Sequence, residues 1–161
     1  MKTLMKNVQA LFVICALFMN FSVSAEDHAE APAAPSLFDR IGGEAMAHKI
    51  VGDIWINHTQ NPIVKDRFAN SDPMYVKTKV YEIFAAATGG PVEYTGKDMK
   101  TTHAGMNISE MEFNAVVDDV LAALTTHGVA QQEQNEVLAI LWSVRGDIVN
   151  SNITTKTLTA E

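Results

Sequence analysis

Residues 84–105 read FAAATGGPVEYTGKDMKTTHAG, and this stretch decides the fold. Phe84 to Ala87 finish an apolar helical stripe, and Thr88-Gly89-Gly90-Pro91 stops it, since glycine and proline end helices rather than extend them. The segment from 88 to 98, with Gly89, Gly90, Pro91 and Gly96, reads as a loop. What remains before Gly105 is room for one helical turn around His103, a place with little core to build. By its spacing alone His103 is a surface or capping histidine; its surroundings are what single it out.

Working outward, apolar residues recur at three and four rather than alternating, which is the helical period. Upstream, Asp72-Pro73 supplies an N-cap and a first-turn proline for a helix to Ala87, with Val76, Val80, Ile83, Phe84 and Ala87 on one face. A helix from about Glu44 to Thr59 carries Ala47, Ile50, Val51, Ile54, Trp55 and His58 as a stripe and ends at Asn61-Pro62. Before it, Ser36 caps a short helix over Leu37 to Ile41 that stops at Gly42-Gly43. Downstream, Ser109-x-x-Glu112 is a capping box opening a helix with Phe113, Val116, Val117, Val120, Leu121 and Leu124, up to Gly128. The last helix is expected from about Gln131 to Asn150, presenting Val137, Ile140, Leu141, Val144 and Ile148. The class is all-α with four substantial helices and no repeat.

The ends of the chain carry different signals. Lys2 and Lys6, the apolar run Val8 to Phe21 and the small-residue site Val23-x-Ala25 have the layout of a secretory signal peptide over residues 1–25. The run is shorter than the roughly 20 residues a spanning helix needs, so cleavage rather than membrane anchoring is expected. Residues 26–35, EDHAEAPAAP, read as a flexible Ala/Pro/acidic arm, and 151–161 as a polar tail, leaving 36–150 as the folded domain. The expected destination is the periplasm or the exterior. Cleavage would also remove Cys15, the single cysteine, leaving no thiol for disulfides, thiolate metal sites, iron–sulfur clusters or a C-x-x-C-H haem attachment. The mature chain would carry ten basic against nineteen acidic residues, which argues against nucleic acid as a partner.

Of the five histidines, none forms an H-x-x-x-H pair. His28 lies in the arm, His48 beside the apolar stripe, and His127 at a helix end where the dipole suits it. His58 lies on the stripe at its last turn, where its ring is expected to reach water. Asp118-Asp119 and Glu133/Glu136 read as solvated helix faces. No Gly-x-Ser-x-Gly turn and no phosphate-binding glycine loop is present.

Several segments in order resemble the group I truncated haemoglobins, the two-over-two helical globins. They are Ser36-Leu37-Phe38-Asp39-Arg40-Ile41-Gly42-Gly43, Phe68 after Asn61-Pro62, Phe84 to Pro91, Tyr94-Thr95-Gly96, Met99-Lys100-x-x-His103, and Ile108-x-x-x-x-Phe113. The resemblance spans residues 36–150 and implies a truncated two-over-two globin-like sandwich. It implies a non-covalent haem b (iron protoporphyrin IX) between the helix 73–87 and the short segment holding His103, with His103 as the proximal iron ligand. Phe68, Val80, Phe84, Met99, Phe113, Val116 and Leu141 fall at positions that line haem in the family, with Lys79 or Lys100 near the propionates.

The distal side departs from the family pattern. Oxygen-binding members commonly carry a tyrosine on the second helix and glutamines on the third, where this chain has Trp55, Val76 and Val80. The Trp55 indole N–H is the one donor left among those positions. Fewer donors to bound dioxygen weaken the reading as a tight oxygen store and as a nitric-oxide dioxygenase. Lys79 stands where some relatives place a sixth iron ligand; the alternative for it is to reach a propionate.

The reading that results is an exported haem protein that reversibly binds a diatomic gas ligand: oxygen, nitric oxide or carbon monoxide. Two alternatives stay open. One is a nitric-oxide dioxygenase or weak peroxidase on the same scaffold, which would need a redox partner; the other is a haem-free helical binding or sensing module.

Overall fold

The computed structural model describes residues 34–150, so the leader, nearly all of the arm and the tail lie outside the described residues. Among the described residues there are eight helices and no strand, in agreement with the all-α expectation. The first, α1 (Leu37–Ile41), is capped at its start by Ser36 as expected, in a capping box where the Ser36 hydroxyl accepts the Asp39 N–H. Gly42 ends it in the left-handed region at φ 117°, where a side chain would be strained, and α2 (Gly43–Gln60) starts at once.

The long helices supply the frame. α2 packs against both α4 (Pro73–Ala87) and α6 (Glu110–Thr126), and α6 packs in turn against α7 (Gln131–Ser143). Both predicted caps are present: Asp72 accepts the Met74 N–H, and Ser109 with Glu112 closes a reciprocal capping box. The core unites Phe38, Ile41, Ala47, Ile50, Ile54, Phe84, Ala85, Val120, Ala123, Leu124 and Val137. At Gly90 an added Cβ would lie 2.8 Å from the Phe38 ring, so the loop after α4 can close over α1 only with glycine there.

Two short elements depart from the sequence reading. Lys65–Phe68 forms a four-residue helix, α3, in the connection between Asn61-Pro62 and Asp72-Pro73, to which the sequence reading assigned no element. The last helix does not reach Asn150: it stops at Ser143, Val144 adopts φ −98° and ψ 0°, and a separate turn α8 (Arg145–Ile148) follows. A four-residue helix is too short to show a period, and the one glycine near the break, Gly146, lies two positions past it inside α8, so neither feature was marked at its own position.

That break has a structural use. α8 packs against α5 (Met99–His103), and the residues after it run beside Ile108 as an isolated bridge with Val149. The Asn150 Nδ2 donates to the His103 carbonyl at 2.9 Å, while its Oδ1 accepts the Ile108 N–H at 2.8 Å. The short turn carrying His103 is thus fastened at its far end by a residue 47 positions downstream.

Candidate functional site

The apolar stripes of α4 and α6 are wider than one partner can cover, and each helix uses its stripe twice. On α4, Phe84 and Ala85 turn into the core, while Val76, Val80 and Ile83 turn to an open cavity of about 580 Å³. On α6, Phe113, Val116, Val117 and Val120 reach the same cavity. Leu141, Val144 and Ile148 line it from α7, α8 and their junction, and Met99 and His103 from α5. The volume falls in the range of ligand-binding cavities, roughly 300–1,000 Å³, and a largely apolar wall with a few polar groups is their usual make-up.

His103 is half-buried at the end of α5, and its Nδ1 lies 2.8 Å from the Met99 carbonyl. Since a carbonyl can only accept, Nδ1 carries a hydrogen, and in the neutral ring Nε2 then carries the lone pair. That is the tautomer of a metal-ligating imidazole held by a backbone carbonyl. Asp98 caps α5 through the Thr101 N–H at 2.8 Å, so the turn is fixed at both ends. The described residues contain no cluster of three or more His, Cys, Asp or Glu able to chelate a bare ion. One imidazole facing an apolar cavity fits instead a metal already held in a flat organic macrocycle.

Two of the cations at the cavity, Arg67 and Lys79, are engaged. Arg67 donates to the Glu112 carboxylate at 2.7 Å and to the Met106 carbonyl at 2.8 Å. This guanidinium, with the Ser109 hydroxyl and N–H, holds the Glu112 carboxyl down at about 2. Lys79 lines the cavity, but its ammonium pairs with Glu82 at 2.8 Å and also meets the Thr95 hydroxyl. Thr95 donates its N–H to the same carboxylate at 3.1 Å, so Lys79 and Glu82 pin the loop 88–98 to α4.

The predicted site residues divide as follows. Phe68, Val76, Lys79, Val80, Met99, His103, Phe113, Val116 and Leu141 come together on the cavity wall. Phe84 instead belongs to the core between α2 and α4, Lys100 is exposed on the outer side of α5, and Trp55 stands off the wall, edge-on to Phe68 at 5.8 Å. On a helix of 3.6 residues per turn Phe84 lies about 80° from Val76 around the axis, enough to turn it to the neighbouring helix.

The expectation for His58 is reversed. It is 6% exposed, lines the cavity, stacks on Phe68 at 5.2 Å, and has its Nδ1 2.8 Å from the Asp119 carboxylate. Asp119, read as part of a solvated face, is tied down: its other oxygen accepts from Asn61 Nδ2 at 2.9 Å, and its carbonyl accepts from Asn57 Nδ2 at 3.0 Å. Burial lowers the His58 pKa below its ordinary value, with Asp119 opposing, so the ring is neutral. The partners lie 61 positions apart, and a helical stripe carries no signal of a pair formed across α2 and α6. Glu133 and Glu136 likewise leave the solvated-face reading, since both pair with Arg40 and join α7 to α1. His127 lies at its helix end as expected and meets Asp53 at 2.9 Å.

Comparison with known proteins places this architecture. The family model for bacterial-like globin matches residues 36–150. A group 1 truncated hemoglobin of Mycolicibacterium paratuberculosis is 33% identical over 106 residues, which cover 66% of this chain and 78% of that protein. One from Tetrahymena thermophila is 28% identical over 113 residues, covering 70% of this chain and 93% of the relative. Among solved structures, the truncated hemoglobin of Tetrahymena pyriformis in its Fe(III) form superposes with a TM-score of 0.71 at 26% identity, covering 73% of this chain and all of that one.

Proposed function

The chain belongs to the bacterial-like globin family as a group 1 truncated haemoglobin, and on that premise we propose that it is an exported haem b protein that reversibly binds a diatomic ligand. The observation that carries the reading is His103: an imidazole whose Nδ1 is committed to the Met99 carbonyl, on the wall of a large apolar cavity. Haem, when bound there, supplies an iron atom with one coordination position for His103 Nε2 and one for a small ligand.

The residues around it perform separable tasks. The Met99 carbonyl sets the His103 tautomer and orientation, and Asn150 with Asp98 keeps α5 in place. Val76, Val80, Ile83, Phe113, Val116 and Leu141 offer apolar area to a flat hydrophobic group and exclude water from its faces. With no cysteine in the mature chain, attachment rests on that burial and one imidazole. Lys79, whose ammonium is held by Glu82 and Thr95 at the cavity edge, would exchange one of those partners to meet a propionate. With valine at positions 76 and 80, the wall of α4 offers no side-chain donor there to bound dioxygen, and the reading is a reversible binder rather than a tight store.

The test is carbon monoxide added to the haem-loaded, dithionite-reduced protein. A shifted Soret band that returns when the gas is removed is the expected result; a reduced haem spectrum indifferent to carbon monoxide would reject a binding role. Export follows from the reading of residues 1–25, and appearance of the shortened chain outside the cytoplasm on fractionation is its check.

A further inference from the structure

We propose that His58 and Asp119 form a proton-accepting pair on the cavity wall, so that the site takes small hydrogen-bearing ligands, weak acids H–X such as hydrogen cyanide, as well as diatomic gases. The inference rests on the reading of the cavity as a haem site.

The geometry fixes the polarity. Asp119 has a carboxylate oxygen 2.8 Å from Nδ1, so Nδ1 carries the hydrogen and Nε2 has the lone pair. No hydrogen bond reaches Nε2, and no fully enclosed side-chain nitrogen or oxygen among the described residues lacks a partner, so this atom borders open space. The residue is 6% exposed and lines the cavity, which makes the cavity that space. Its ring is clamped by Phe68, and its carboxylate partner by Asn61.

The other charged groups near this wall are Arg67, Glu112, Lys79, Lys97 and His103. Arg67 is committed to Glu112, and Lys79 to Glu82. Without a hydrogen of its own, Nε2 cannot donate to dioxygen, carbon monoxide or nitric oxide, and none of these carries a hydrogen for it to accept. It can accept from H–X. In the step that follows, the H–X bond breaks heterolytically, the electron pair stays with X, whose anion a ferric haem in the cavity would take up, the proton passes to Nε2, and the imidazolium is held by Asp119 until it returns the proton to solvent. Burial, which favours the neutral ring, keeps Nε2 free to accept and quick to release.

The experiment compares cyanide association with the ferric haem-loaded protein at neutral pH against carbon monoxide association with the ferrous form. His58→Leu is expected to slow cyanide at least about tenfold while carbon monoxide changes far less. Asp119→Asn still accepts the Nδ1 hydrogen but lowers the basicity of Nε2, and its cyanide rate is expected between the two. Nitrogen-15 spectra of the unliganded protein should show His58 protonated at Nδ1 and bare at Nε2. Equal slowing of both ligands, an unchanged cyanide rate, or the opposite tautomer would overturn the pair while leaving the haem reading intact. A protein without a Soret band would overturn both.

Discussion

His103 and His58 make the same local bargain with different partners. Each gives its Nδ1 hydrogen to a fixed oxygen, a backbone carbonyl in one case and a carboxylate in the other, and each leaves Nε2 as a lone pair at the cavity. The sequence singled out His103, because glycine-rich surroundings on a one-turn helix are visible in a string of letters. It could not single out His58, whose position on an apolar stripe looks the same whether the ring faces water or a cavity. Glu112 is the third residue whose environment sets its chemistry. With its carboxyl held at about 2 against 4.5 ordinarily, its ionised form is favoured in the fold. The stability this contributes is present above about pH 4.5 and is lost as pH falls toward about 2. Glu112→Gln keeps a capping-box residue but removes the charge that Arg67 needs. It is expected to lower stability by about 1 kcal/mol at neutral pH, with the deficit vanishing in acid; urea midpoints across that range are the check.

At the scale of elements, the caps were legible and the breaks were not. Ser36, Asp72 and Ser109 each announce a helix start by residue type, and each caps as expected. The turn α5 was legible as a turn, but what holds it is Asn150, placed by a helix break at Val144, where no breaker residue stands. Asn150→Ala removes the partner of the His103 carbonyl and that of the buried Ile108 N–H. A loss of about 1–2 kcal/mol is expected, concentrated locally. Hydrogen exchange should show the Ile108 amide losing protection while Leu124, in the core between α2 and α6, keeps its own. Equal loss at both would mean that Asn150 serves the whole fold rather than α5.

For the molecule as a whole, the helices divide their apolar surface between a conventional core and an enclosure. Ile50, Ile54, Phe84, Leu124 and Val137 close on one another, whereas Val76, Val80, Val116 and Leu141 face the cavity. Nine of the residues named from the resemblance to truncated globins stand on the cavity wall, among them His103, Val80 and Phe113. The resemblance did not anticipate the placement of Trp55, Phe84 and Lys100 off the wall, which depends on how α2, α4 and α5 are rotated about their axes; periodicity leaves that angle loose by tens of degrees. An open cavity this size, walled by aliphatic side chains, leaves apolar area exposed to water until a ligand covers it. The most direct measurement is therefore a haem titration of the protein and of its His103→Ala variant, read by absorbance and by thermal unfolding. An intense Soret band saturating at one haem per chain, a raised unfolding temperature on loading, and loss of both in the variant are expected. A wild-type chain that stays helical but gains neither the band nor the stability would contradict the haem reading.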